Sequence, residues 1–495
     1  MENLLFAARK LVQSIESGTD DPEGHHPDLP LPEQWQHIPT LESFLEIREI
    51  PIKGQGFVAK QNLPAGTLLM AAKPISMVLD SEEEEVQGAK AIANDSMEDD
   101  EDLASSSDAN DEEKDPHVNE LLLLEVLDQL NTDPSLWENA LSKLYPRTEQ
   151  EVAQLPAYTI GDDEIFEEFE KGILTLEQQH EVLRPVAKEI SKRLPLLIRY
   201  NILSMETCPE LLSYPGSEGY ANLAGVGLYH LPSFFNHSKS PNCARYAIGD
   251  IMCFVTNQDI PAGSEVCISY IEHDILCESA YRRNLMLSMN FDDRAQDDHD
   301  ATAAEKEGPE MPVVDGDVQN ELMTMDPLER LASIDELLAQ ATGQKRAEDE
   351  VMNVEDVGDD AMDGNDNDEA QSWFQCDIQN LRILKAITLE SLGQSRQALS
   401  VWEEAIHFCD TYLPPNDENG IVVRTQAAIS AYLLGESTKA QAYASSSLQM
   451  HNLLFGGGVG LFRVRMGPDL RLSLRPGGAV GADKVTASVD ALWPR

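Results

Sequence analysis

The residues best equipped for chemistry stand close together between 224 and 274, in AGVGLYHLPSFFNHSKSPNCARYAIGDIMCFVTNQDIPAGSEVCISYIEHD. A polar knot, Asn236-His237-Ser238 and then Ser240-Pro241-Asn242-Cys243, follows directly on Phe234-Phe235. Amide, imidazole and hydroxyl groups set against apolar chain are buried at a cost unless each finds a hydrogen-bond partner. Such a knot therefore either ties backbone segments together or holds a polar ligand, and taken alone it does not decide between the two. Four elements must position it. A glycine-punctuated apolar run, Gly225 to Leu231, precedes it. Ile251 to Val255 reads as a buried strand, Pro261-Ala262-Gly263 is turn chemistry, and Glu265 to Tyr270 alternates polar and apolar like a half-buried strand.

A second strand-like stretch lies far upstream. Glu49 to Ala59 contains Lys53-Gly54-Gln55-Gly56 and leads into QNLPAGTLLMAAKPISMVL. Its turn, Pro64-Ala65-Gly66, echoes Pro261-Ala262-Gly263, so QNLPAGTLL and QDIPAGSEV form two similar strand–turn–strand units. A lone Gly-x-Gly is ordinarily a tight turn, and glycines also let backbone approach a neighbour that a Cβ would obstruct.

Taken together, NHSxxPNC, GxEVxISY and the upstream Gly-x-Gly before an apolar strand resemble the two halves of a SET domain, the lysine-methyltransferase fold. The phrase GVGLYHLPSFFNHSKSPNC is most similar to the SET-and-MYND (SMYD) group and its fungal relatives. The resemblance implies an α+β fold. A SET β-domain is split by a helical insertion, its final strand tucks under a neighbouring loop, and an all-α, tetratricopeptide-like domain follows. It implies S-adenosylmethionine (AdoMet) as cofactor, with Lys53, Gly54, Gln55 and Gly56 running along it and Asn201 at its amino-acid end. Asn236 and His237 would hold the adenine side and the methionine portion, and Phe291 would cover the adenine. Tyr270 would line the lysine channel as the catalytic phenol. By the same resemblance Met289 falls where a second channel tyrosine would stand and Asp293 where a first zinc cysteine would. No Cys-x-x-Cys occurs in the sequence, so no zinc-finger spacing is present and no metal is expected.

The chain has 495 residues and a formal net charge of -52, with 88 acidic against 36 basic residues. That balance argues against direct nucleic-acid binding and favours basic protein partners, with a lysine-bearing tail such as a histone's as the expected substrate. Seven unpaired-looking cysteines suit a reducing intracellular compartment, nucleus or cytoplasm. No run of about 18 apolar residues occurs, so no membrane span is expected, and a monomer is expected.

The expected order begins with a helix and linker over 1–40 and the first SET half over 41–80. An acidic disordered insert over 81–117 and a helical insertion over 118–215 separate it from the second SET half over 216–291. An acidic linker spans 292–372, with one helical island near Leu328 to Leu338. A helical repeat-like domain spans 373–455 and an unpacked tail 456–495. In the repeat-like part, LGQSRQALSVWEEAI and LGESTKAQAYASSSL share a Leu-Gly…Ala pattern 42 residues apart. A generic amphipathic bundle would satisfy the same pattern.

Overall fold

The computed structural model describes residues 44–79 except 52, 116–207 except 157, 223–248, 251–271, 273, 286, 314, 316–342, 374–466 except 457, and 482–494. The expected helix over 1–40, residues 81–115 of the insert expected over 81–117, Met289 and Phe291 lie outside the described residues, while Pro116 and His117 of that insert are helical. The chain divides into two compact units, Met1–Tyr270 and Ile271–Arg495.

The first unit is α+β. Strands β1 (Leu45–Ile50) and β2 (Gly54–Ala59) form an antiparallel hairpin that pairs Ile50 with Gly54 and Leu45 with Ala59. Gly54 takes φ +80°, the left-handed conformation that the turn into β2 needs and that glycine adopts without strain. Strands β3 (Leu68–Ala72) and β4 (Ser76–Leu79) follow.

The insertion begins with α1 (Pro116–Thr132) and α2 (Ser135–Asn139). Helix α3 (Glu149–Gln154) opens on a capping box between Thr148 and Glu151, and α4 (Asp163–Gln179) is capped by Asp162. Helix α5 (Ala187–Asn201) closes the insertion. Its interior is continuous with that of the sheet. Leu122, Leu123, Val126, Leu127 and Leu130 of α1 share one buried cluster with Leu228, Phe235 and Phe254. The insertion is thus part of the same core rather than a separate body.

Beyond α5 come β5 (Ile202–Thr207), β6 (Leu223–Leu228), the short β7 (Asn236–His237), β8 (Cys243–Ile248), β9 (Ile251–Thr256) and the short β10 (Cys267–Ile268). Four of these, β5, β6, β8 and β9, join β3 and β4 in one six-stranded sheet in the order β3-β9-β8-β5-β6-β4. Two expectations are corrected here. The helical insertion expected over 118–215 stops being helical at Asn201, because Ile202 and Leu203 pair antiparallel with Leu228 and Gly227. Residues 202–207 therefore belong to the sheet and not to the 118–215 insertion; long-range pairing overrides the local apolar run. The six-residue alternation over 265–270 shrinks to a two-residue ladder plus the Val58–Glu265 bridge.

The second unit, taken by itself, is helical. Helices α6 (Gly316–Thr324) and α7 (Pro327–Thr342) occupy part of the stretch expected as an acidic linker. The island is longer than the sequence suggested, and Ile334 packs in one cluster with Leu322, Leu381 and Leu384. Helices α8 (Gln375–Ser391), α9 (Ser395–Tyr412), α10 (Glu418–Leu433) and α11 (Ser437–Leu454) pack in succession. Gly393 and Gly435 end α8 and α10 with φ +73° and +78°, and in both turns the next residue's N–H reaches back five residues, Gln394 to Leu389 and Glu436 to Ala431. Ala398 and Ala440, the alanines of the repeated pattern, are fully buried.

The tail is not unpacked. Helices α12 (Gly458–Arg465) and α13 (Ala482–Leu492) bring Phe462 and Trp493 to a 5.1 Å ring contact, and the Trp493 indole donates to the Ala444 carbonyl at 3.1 Å. Two buried aromatics carry this packing without the periodicity that a longer helix would show. No helix among the described residues is long and apolar enough to cross a membrane.

Candidate active site

Chain 265–268 is held along both edges. On one side Val266 donates to the Phe57 carbonyl at 2.8 Å; on the other β10 runs parallel to β7, with Cys267 opposite Asn236 and Ile268 opposite His237. Ser238 N–H then donates to Ile268 at 2.9 Å. Asn242 closes the arrangement. Its side-chain amide donates to the Glu265 carbonyl, its amide oxygen accepts from Cys267 N–H, both at 2.9 Å, and its own N–H donates to the Cys267 carbonyl at 3.2 Å. Asn242→Ala should therefore destabilise the fold by about 2–4 kcal/mol, because it strands a backbone donor and acceptor together. A urea midpoint that does not fall in this variant would contradict that assignment.

This threading delivers the polar side chains. The Asn236 amide donates to Glu265 Oε1 at 2.8 Å, and Lys53 Nζ reaches Glu265 Oε2 at 3.1 Å and the His237 carbonyl at 3.2 Å. One carboxylate thus joins the Gly-x-Gly hairpin to the Asn-His segment. His237, 2% exposed, accepts the Tyr270 N–H on Nδ1 at 3.1 Å, which puts the proton of its neutral ring on Nε2. The Tyr270 hydroxyl donates to the Phe235 carbonyl at 2.8 Å. Tyr270 is therefore anchored by backbone and hydroxyl to the segment that carries the polar knot. Behind it Phe57 meets Phe235 edge-on at 4.7 Å, and Phe235 stacks on Phe254 at 4.5 Å.

Gly56 has a definite reason to be glycine. A Cβ there would lie 2.3 Å from the Asn236 amide nitrogen and 3.0 Å from Ile50. The close approach that the glycine permits is to Asn236, the residue the resemblance places on the cofactor. Gln55 is half-buried and faces Glu49 across the hairpin.

Asn201 is also brought in, though as a buried residue at 6% exposure and not on a helix surface. Its Nδ2 donates to the Leu197 carbonyl at 3.0 Å and to that of Tyr145, and its own carbonyl accepts from Ser233 Oγ at 3.3 Å, three residues before Asn236. The amide oxygen of this nearly buried side chain is an acceptor of the kind that suits an ammonium group, as the amino-acid end of AdoMet would present. The residues present thus fit the cofactor at its expected amino-acid end.

Electrostatics narrow the roles. Burial holds the Tyr270 phenol well above its ordinary range, Cys267 and Glu265 push it further up, and Arg245 acts against them. It stays protonated and serves as a hydrogen-bonding group, never as a base. Burial also raises the thiols of Cys253 and Cys267 to about 12, and that of Cys243 higher still. These cysteines are neutral and free. Among the described residues no group of three or more His, Cys, Asp or Glu side chains is arranged to hold a metal.

Sequence reasoning quoted Glu265 and Asn242 but gave neither a role. The signal available was placement: Glu265 opens an alternating strand beside the Asn-His segment, and Asn242 sits in its turn. Arg147 carried no such signal. It lies 3.7 Å from where a Gly54 Cβ would be and pairs with Glu49 and Glu151 at 3.4 and 3.3 Å.

Residues 54–271 match the family model of the SET domain, and helices α1–α5 fall inside the matched stretch. The chain is 34% identical over 113 residues, 21% of its length, to the protein-lysine N-trimethyltransferase SMYD5 of Gallus gallus. The chain spans about a quarter, 27%, of the length of that curated relative. A crystal structure of the SET domain of LSMT bound to lysine and AdoHcy aligns over 90% of this chain and 92% of its own at 12% identity, with a TM-score of 0.24.

Proposed function

We propose that this chain is an AdoMet-dependent protein-lysine N-methyltransferase that acts on basic, flexible segments such as histone tails or the tails of other basic proteins. The observation that carries the reading is the hydrogen-bonded unit of Lys53, Glu265, Asn236, His237 and Tyr270 inside the SET match, with Gly56 packed on Asn236. AdoMet, when bound, supplies a sulfonium-borne methyl group that an amine attacks in line. The chain's own residues then have limited tasks. Asn201 offers an acceptor to the amino-acid end. Asn236 and His237, fixed by Glu265 and the Tyr270 N–H, hold the other end in a single orientation. Tyr270, a phenol that cannot ionise at working pH, orients the incoming amine. The lysine must arrive neutral, helped by the apolar surroundings and by the neighbouring positive charge.

The acidic chain favours basic segments, and this attraction should weaken with salt over a Debye length of about 8 Å at physiological ionic strength. Helices α8–α11, with their twin glycine turns, support a tetratricopeptide-like reading of the second unit. A reducing intracellular location and a monomeric state belong to the same proposal. A catalytically silent SET scaffold that binds basic proteins is the second reading, favoured by Met289 at the place of a second channel tyrosine.

Isothermal titration with AdoMet separates the readings at their root. The enzyme reading expects one site per chain with micromolar affinity. No heat and no thermal shift at millimolar cofactor would overturn it.

A further inference from the structure

The outward face of α4 is built unlike an ordinary solvated helix. Phe166 and Leu174, two turns apart, are 47% and 51% exposed, and Val182 in the turn beyond is 72% exposed. Among the described residues eight large apolar side chains are exposed, and three of them fall in this one short stretch. Opposite, the helix is already fully used: Ile165, Phe169 and Leu176 are buried, and Gly172 lets Leu127 of α1 come within 2.4 Å of where its Cβ would be. The outer apolar side chains are thus surplus to the core.

The rim around them is one-signed. Residues 163–182, DEIFEEFEKGILTLEQQHEV, hold seven acidic residues and one lysine. Glu164, Glu167, Glu168, Glu170, Glu177 and Glu181 are all exposed. Lys171 stands 3.7 Å from Glu167, and the neighbouring Arg184 spends its guanidinium on the carbonyls of Glu177 and Gln178. Apolar residues spaced along one helix face and flanked by a single sign of charge are how helices recognise amphipathic segments of the opposite charge.

The geometry points to the outer face of α4 as a docking ridge for a basic amphipathic segment of a partner protein, with apolar residues two helical turns apart and lysine or arginine between them. The inference stands independently of the methyltransferase reading, since it places no residue in the cofactor or lysine site. A second copy of the chain is a poorer occupant, because two such rims would set glutamates against glutamates.

The probe is a fluorescein-labelled peptide of about 18 residues, with leucine at every fourth position and lysine or alanine elsewhere, read by fluorescence anisotropy. The chain carries acid elsewhere and would attract any lysine-rich peptide weakly, so the deciding variant must keep the charge. In Phe166→Ala/Leu174→Ala/Val182→Ala the net charge is unchanged, all three side chains are exposed, and the melting temperature should hold. The ridge predicts a loss of affinity of about tenfold or more in this variant, and a comparable loss in Glu167→Gln/Glu170→Gln/Glu177→Gln. It also predicts that a peptide with glutamate in place of lysine does not bind. Equal affinity of wild type and the alanine variant would overturn the proposal. So would sedimentation showing self-association that the alanine variant abolishes, which would assign the face to a second copy.

Discussion

Tyr270→Phe is expected to lower turnover by about a hundredfold, the loss of roughly 3 kcal/mol from one positioned hydrogen bond in a site that excludes water. The AdoMet dissociation constant should move little, since the contacts that hold Asn236 and His237 in place do not involve the hydroxyl. The His237–Tyr270 bond uses the tyrosine's backbone N–H, which the variant keeps. What the variant does lose is the hydroxyl's donation to the Phe235 carbonyl. A partly buried carbonyl left without a donor costs about 1–3 kcal/mol of stability, so a lowered melting temperature should accompany the lost rate. Both effects together separate this residue from a plain core tyrosine, which would lose stability and keep its rate. Wild-type turnover in Tyr270→Phe would put the channel phenol elsewhere.

Gly56→Ala is expected to act on the cofactor end. The added methyl would stand 2.3 Å from the Asn236 amide nitrogen and 3.3 Å from its carbon, so the amide must move. That amide is not free to move cheaply. It is bonded to Glu265, and the same carboxylate holds Lys53. The displacement should weaken AdoMet binding by about 2–3 kcal/mol, roughly thirty- to a hundred-and-fifty-fold. Gly263→Ala is the control. Gly263 has φ +84° with nothing within 4 Å of a Cβ, so the change costs about 1 kcal/mol of backbone strain and should leave cofactor affinity alone. Equal losses of affinity in both variants would mean that general destabilisation, and not the Gly56–Asn236 contact, governs binding.

The parts of this architecture that local chemistry dictates were legible before the fold was known. Pro64-Ala65-Gly66 and Pro261-Ala262-Gly263 are turns, Ile251–Thr256 is a strand, and Gly393 and Gly435 end helices with the left-handed backbone only glycine adopts freely. Lys53, Gly56, Asn236, His237 and Tyr270, which the motifs singled out, stand close to one another in the fold. What the sequence hid depends on distant pairing. Nothing in Ile202-Leu203 distinguishes the end of a buried helix from the start of a strand; β6 decides it from more than twenty residues away. Glu265 looks like any polar residue in an alternating strand, and only the threading of 265–268 between Phe57 and Asn236 makes it the hub of the site. The tail reads as glycine- and arginine-rich, yet Phe462 and Trp493 pack it down. Two well-placed aromatics can do this without leaving a period to detect.

The measurement that bears most directly on the central claim is methyl transfer itself. The protein is incubated with methyl-tritiated AdoMet and a mixture of basic proteins that includes histones, and the products are hydrolysed to amino acids. The account predicts label in methylated lysines, reduced about a hundredfold with Tyr270→Phe. Label-free lysine from a protein shown by titration to have AdoMet bound would contradict it.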